Sequence, residues 1–139
     1  MLARADRQLS TSTPTGLGVE LALRQTLGFA YLKLGETAIA GGQLARAYEL
    51  ATIEYGQRHP ETVMIGKNHL VALVQSGSPR AAEAPARRLR TIAREVLGPS
   101  DRTSLEIEGI LGTLLDRLGR YAEAESLLRS VLQLSLIHI

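Results

Sequence analysis

Cysteine and tryptophan are absent from the 139 residues, phenylalanine occurs once, and aromatic residues together make up 4% of the chain. Without cysteine there is no disulfide framework, no thiolate metal site and no cysteine nucleophile. With so few aromatics the core must be built from Leu, Ala, Val and Ile, which fill narrow gaps between helices better than the layer between two sheets. Only Lys33 and Lys67 are lysines, and 16 basic against 14 acidic residues leave a net charge of +2. The pI near 9.3 therefore reflects near balance and not a basic surface made for nucleic acid. No window approaches the roughly 20 apolar residues of a membrane span, and Arg4, Asp6 and Arg7 stand where a signal peptide needs an apolar run. A soluble, cytoplasmic chain with no membrane partner is expected. At this length it holds one compact unit.

What the chain does have is a period. Gly35, Gly77 and Gly119 are spaced by 42 and again by 42, and so are the turn formers Pro14, Gly56 and Gly98. Between them, apolar residues return at helical steps: Leu23, Leu27, Ala30, Tyr31 and Leu34 in the first copy, and Ile107, Leu111, Leu114, Leu115 and Leu118 in the third. The second copy, with Ile65, His69, Ala72, Leu73 and Ser76, carries the weakest stripe. After each glycine a second helix follows, in which Ala40, Leu44 and Ala47 match Ala82, Ala86 and Leu89, then Ala124, Leu128 and Val131. Each unit reads as a helical hairpin.

The punctuation agrees. Pro60 and Pro79 suit the first turn of a helix, where a missing N–H costs nothing. Ser100 or Asp101 suits a cap, and the glycines at the helix ends suit a left-handed residue. Helices are predicted at about 19–34, 37–54, 61–76, 79–97, 103–118 and 120–134. Residues 3–9 read as the end of an earlier helix and Ser10 to Gly18 as loop. Pro85, inside the fourth helix near its start, is expected to kink it without breaking it.

Catalytic and metal chemistry find little support. His59, His69 and His138 are 10 and 69 residues apart, whereas a zinc pair on one helix needs a separation of about four. His59 suits the turn before Pro60, and His69 reads as a packed histidine bonded to a neighbour. No nucleophile elbow accompanies the serines, Glu123 and Glu125 point to different helix faces, and Gly16-Leu17-Gly18 and Gly41-Gly42 lack the strand and lysine of a phosphate cradle. No catalytic residue, metal or cofactor is assigned. Arg87, Arg90 and Arg94 share a helix face beside Arg88. With Glu83 and Glu95 nearby and no interleaved aromatics, they read as an outward, solvated convex face, so no nucleic-acid partner is expected.

Thr26 to Gly35 (TLGFAYLKLG) and Leu118 to Glu125 (LGRYAEAE) resemble the two helices of a tetratricopeptide repeat. The 42-residue period, with Gly56 to Thr62 (GQRHPET) between hairpins, resembles the longer kinesin light chain type of that repeat. The resemblance covers residues 19–133 and implies an all-α fold, an α-α superhelix (solenoid) of about three such hairpins, preceded by residues 1–18. The middle copy departs from the pattern, with His69 for an expected Leu, Leu70 for a small residue and Pro79 where Tyr121 stands later, so it is expected to pack less well. The family's groove, carried over by position, falls on Gln25, Phe29, Leu32 and Lys33, then Lys67, Asn68, Val71 and Gln75, then Thr113, Asp116 and Arg117. Asn68 matches the family's asparagine that hydrogen-bonds a peptide backbone. Thr26 and Ile110 take its place in the other copies.

What the resemblance implies is a non-enzymatic interaction module that binds a peptide or partner domain. Lys33 and Lys67 favour an acidic segment. The alternative is the regulatory or sensory region of a larger bacterial signalling protein, a serine/threonine kinase or a transcriptional activator. Leu134 to Ile139 (LSLIHI) reads as one frame of a transposon-end adapter used in preparing sequencing libraries, and hence as a non-native tail. Repeat ends without a polar capping helix invite self-association.

Overall fold

A computed structural model describes residues 16–77 and 79–137. The readings made for residues 3–9, for most of the Ser10 to Gly18 loop, and for Ser78 and His138 lie outside it. The described chain forms six helices: α1 (Leu17–Lys33), α2 (Thr37–Tyr55), α3 (Pro60–Gln75), α4 (Pro79–Val96), α5 (Arg102–Arg117) and α6 (Tyr121–Ile137). No strand occurs among the described residues, and each helix packs chiefly on its neighbours in sequence. The result is an all-α solenoid of three stacked hairpins. Each predicted helix is present with boundaries within about three residues, and α1 begins two residues early, inside the stretch read as loop.

The helix ends follow from the glycines. Gly35, Gly77 and Gly119 have φ of 81°, 86° and 81°, a conformation an L side chain resists. At the first and third, the N–H of Glu36 donates to Tyr31 O at 2.9 Å and that of Arg120 to Leu115 O at 2.9 Å, closing the wide turn that satisfies a helix's last carbonyls. The starts of α3 and α5 also correspond. His59 Nδ1 accepts from the N–H of Glu61 at 3.1 Å, and Asp101 Oδ1 accepts from that of Thr103 at 2.8 Å. Pro85 stands within α4, which continues past it to Val96.

The joints between hairpins repeat too. Thr62 Oγ1 donates to Ala51 O at 3.3 Å and Ser104 Oγ to Ala93 O at 3.1 Å, each hydroxyl buried and each pair 42 residues from its equivalent. Beside these bonds the side-chain pairs differ. At the first joint Gly66 lies so close to α2 that a Cβ would stand 2.9 Å from the Tyr48 ring. At the second, the same two positions hold Glu108 and Arg90, which are ion-paired.

The core departs from the sequence stripes in instructive ways. Ile65 and Ile107 are fully buried, but Leu23, their equivalent in α1, is 45% exposed. The later two lie under the preceding hairpin, and no described helix precedes α1. Leu34 is exposed at the end of its helix, while Leu21 and Arg24 are buried on the face that meets α2.

In the middle copy His69 is half-buried and Ser76 exposed, and Leu70 enters the core instead. The poorer packing expected there is borne out, since α3 and α4 meet less closely than the paired helices of the other two hairpins, and an exchange of volume accompanies it. In the first hairpin Gly28 faces Leu44, and in the third Gly112 faces Leu128; the corresponding pair in the second is Leu70 and Ala86, both in the core. A cavity of about 80 Å³ lies beside this hairpin, lined by Tyr48, His69, Pro85 and Leu89 among others. His69 makes no side-chain hydrogen bond there among the described residues; its ring stacks on Tyr48 at 6.5 Å. Burial lowers its pKa below the ordinary histidine value.

Candidate functional site

Helices α3 and α5, the first helices of the second and third hairpins, stand side by side and leave an elongated hollow of about 550 Å³ between them. It gathers six of the groove residues expected from sequence: Lys67, Asn68, Val71 and Gln75 from α3, and Thr113 and Arg117 from α5. The helical steps 67, 68, 71, 75 and 110, 113, 117 place these side chains on facing stripes. Val71, Val74 and Ile110 supply an apolar floor, and Leu128 reaches in from α6.

The remaining groove residues do not join them. Gln25, Phe29, Leu32 and Lys33 lie on α1 and line no part of this hollow, and Asp116 on α5 is exposed outside it. Phe29 is 47% exposed, with Lys33 Nζ 5.1 Å from its ring centroid, a cation–π contact. Glu106 and Gly109 line the hollow and were not foreseen. Stepping back from Thr113 and Ile110 by four residues along the same helix face would have found both.

Lys67 and Glu106, two of the charges of the hollow, are already engaged with each other. Lys67 Nζ lies 2.6 Å from Glu106 Oε2, and Arg102 Nε donates to Glu106 Oε1 at 3.0 Å. Burial, which by itself raises a carboxyl, is outweighed by the hydrogen bonds and charges of Lys67 and Arg102, and Glu106 is held below the ordinary carboxylate range. Arg117 Nη1 donates to Val74 O at 3.0 Å, satisfying a carbonyl in the last turn of α3. The side chains of Asn68, Gln75 and Thr113, by contrast, make no hydrogen bond among the described residues.

The arginines of α4 correct the expected solvated face. Arg90 and Arg94 both donate to Glu108 Oε1, the latter at 3.2 Å, and Glu108 is 1% exposed. Arg87 pairs with Glu83 at 3.0 Å and Glu123 at 2.8 Å, while Arg120 reaches the same two acids at 2.6 and 2.8 Å. Hydrogen bonds from Arg87 and then Arg120 lower Glu83, and Arg87 does the same for Glu123. These three arginines therefore face the third hairpin, because its buried and half-buried acids require cations. Among the described residues no group of three or more His, Asp or Glu could hold a metal ion, and no helix is long and apolar enough to cross a membrane.

Residues 110–136, the second half of α5 with nearly all of α6, match the family model of the tetratricopeptide repeat. Two solved structures, of nearly identical tetratricopeptide-like repeats assigned to a kinesin light chain of Podosopora anserina, share this architecture. The first, a single-substitution variant, superposes with a TM-score of 0.80 at 18% identity over 96% of this chain and 63% of that one. The second gives 0.73 at 19% identity over 96% and 62%. This chain thus spans less than two thirds of either. No curated protein matches the sequence.

Proposed function

We propose that this solenoid, whose fold is that of kinesin light chain-type tetratricopeptide repeats, is a non-catalytic scaffold that holds a segment of a partner protein between α3 and α5. Repeats of this kind generally mediate contacts between proteins. The observation that carries the reading is the hollow itself, of a size that takes a few side chains, apolar at the bottom and rimmed by polar groups from two successive hairpins. Its walls are rigid helices and not loops, so a segment laid across them meets preorganised groups and loses little affinity to ordering the site.

Selection of a displayed random peptide library against the immobilised protein tests this. Binders are expected to lose affinity on Ile110→Asp and to be indifferent to Arg58→Ala, whose exposed pair with Glu95 lies away from the hollow. Binders indifferent to every change lining the hollow would refute the reading.

A further inference from the structure

The polar groups of the hollow divide into two classes. Of the charged ones, Lys67 and Glu106 are committed to each other and Glu106 also to Arg102, while Arg117 gives one nitrogen to the carbonyl of Val74 and has no carboxylate partner among the described residues. The neutral ones, Asn68, Gln75 and Thr113, are uncommitted among the described residues. Asn68 is half-buried, so its amide does not have free access to water in place of a partner. An amide offers a donor and an acceptor together, and a hydroxyl likewise, which matches the alternating N–H and C=O of an extended backbone.

An acidic side chain entering beside Lys67 would meet Glu106 at the same ammonium. It would have to displace a carboxylate already 2.6 Å away, or sit next to it and suffer like-charge repulsion. An uncharged side chain meets no such obstacle, and Val71, Val74 and Ile110 reward it in proportion to the apolar area removed from water.

We infer, building on the groove reading above, that the hollow selects an extended, uncharged segment of a partner protein. Its backbone is met by Asn68, Gln75 and Thr113, and one aliphatic or aromatic side chain is seated between Val71 and Ile110. The Lys67–Glu106 bridge acts as a filter against acidic segments and not as their receptor.

Two pools of labelled, terminally blocked peptides test the assignment by fluorescence polarisation. One pool contains only Gly, Ser, Asn, Gln, Leu, Ile and Phe; the other carries Asp and Glu at several positions. The uncharged pool is expected to bind the full chain with an affinity that changes less than about twofold between about 50 and about 500 mM NaCl, because no net charge is neutralised on binding. Val71→Asp and Ile110→Asp should each weaken it about tenfold or more, the loss expected of an anchor side chain. Asn68→Ala, on the rim, should weaken it with helical content unchanged, which keeps the test valid should an aspartate variant fold poorly. The pair Lys67→Met with Glu106→Gln should bind the uncharged pool as before and accept the acidic pool no better than the uncharged one.

Preference for the acidic pool with steep salt dependence, lost on Lys67→Met, would overturn the selectivity while leaving the groove reading standing. Binding by neither pool, or binding unmoved by Val71→Asp, Ile110→Asp and Asn68→Ala alike, would overturn the groove reading itself. Self-association of the chain that disappears with Ile110→Asp would make a second copy the occupant, and would overturn the inference as well.

Discussion

The exchange of volume between hairpins can be tested by moving it. In the first hairpin a Cβ placed on Gly28 would stand 2.6 Å from Leu44 Cγ and 2.7 Å from its Cδ2, with Leu44 fully buried and unable to retreat. Gly28→Leu alone should therefore cost about 2 to 3 kcal/mol from overpacking, even after the roughly 1 kcal/mol that leaving glycine gains in a helix interior. Leu44→Ala alone opens a cavity against Gly28, where no side chain can collapse into it, and should cost about 3 to 4 kcal/mol. Combined, the two recreate the Leu70 and Ala86 pair of the middle hairpin. The double variant should lie within about 1 kcal/mol of the parent, a coupling of at least about 4 kcal/mol, above the roughly 0.5 to 3 kcal/mol that contacting residues usually show. Urea unfolding followed by helical circular dichroism measures all four members of the cycle. A double variant as unstable as the sum of its parts would refute the claim that the two pairs are alternative solutions of one site. A contrast is available in the third hairpin. There Gly112 faces Leu128, which is 42% exposed and can swing outward, so Gly112→Ala should be neutral or slightly stabilising where Gly28→Ala is not.

Removal of Glu108 and removal of its partners should differ in cost. Arg90 and Arg94 are about one third exposed and can turn to water, so Glu108→Ala should cost only about 1 to 2 kcal/mol, whereas the Arg90→Ala/Arg94→Ala double strands a buried carboxylate and should cost about 3 to 5 kcal/mol. Equal costs in thermal or urea unfolding would contradict this. His69, half-buried and beside Tyr48 and Arg88, resists a proton that the unfolded chain accepts near pH 6.5. Stability is then complete above that pH and falls as pH drops through 6.5 towards the lower folded value; His69→Gln should flatten this slope, and an unchanged slope would assign it elsewhere. Asp101→Ala removes the acceptor for the Thr103 N–H and should lower stability by about 1 kcal/mol, read as a shift in urea midpoint without change of slope.

Much of the fold was legible because its signals are local. A glycine every 42 residues announces helix ends, and the structure gives each of Gly35, Gly77 and Gly119 a left-handed φ. The lining of the hollow between α3 and α5 was legible in part, since positions on these helices follow from helical stepping once the hairpins are in register. What could not be read was the partner of each charge. Lys67 meets Glu106 at a separation of 39 residues, and Arg90 meets Glu108 at 18, across joints whose geometry no single helix displays. A run of arginines on one face therefore looked solvated when it faced acids of the next hairpin. The exposure of Leu23 was hidden for the same reason, because an apolar stripe says which face seeks cover and not whether a neighbour supplies it.

The two joints carry the same hydroxyl-to-carbonyl bond but unlike side-chain pairs, and this bears on how such an array can change length over evolutionary time. Recombination that deletes or duplicates a whole hairpin would leave the same hydroxyl-to-carbonyl bond available at the new joint, and the backbone would accept the product. The side chains would not. Loss of the middle hairpin would bring Glu108 against Tyr48, a carboxylate beside a phenol ring with no cation in reach, whereas its duplication would set Gly66 opposite Arg90 and leave the guanidinium without its acid. Hairpin order is thus guarded by these pairings, and any surviving change in copy number should be accompanied by a compensating substitution at position 66, 90 or 108.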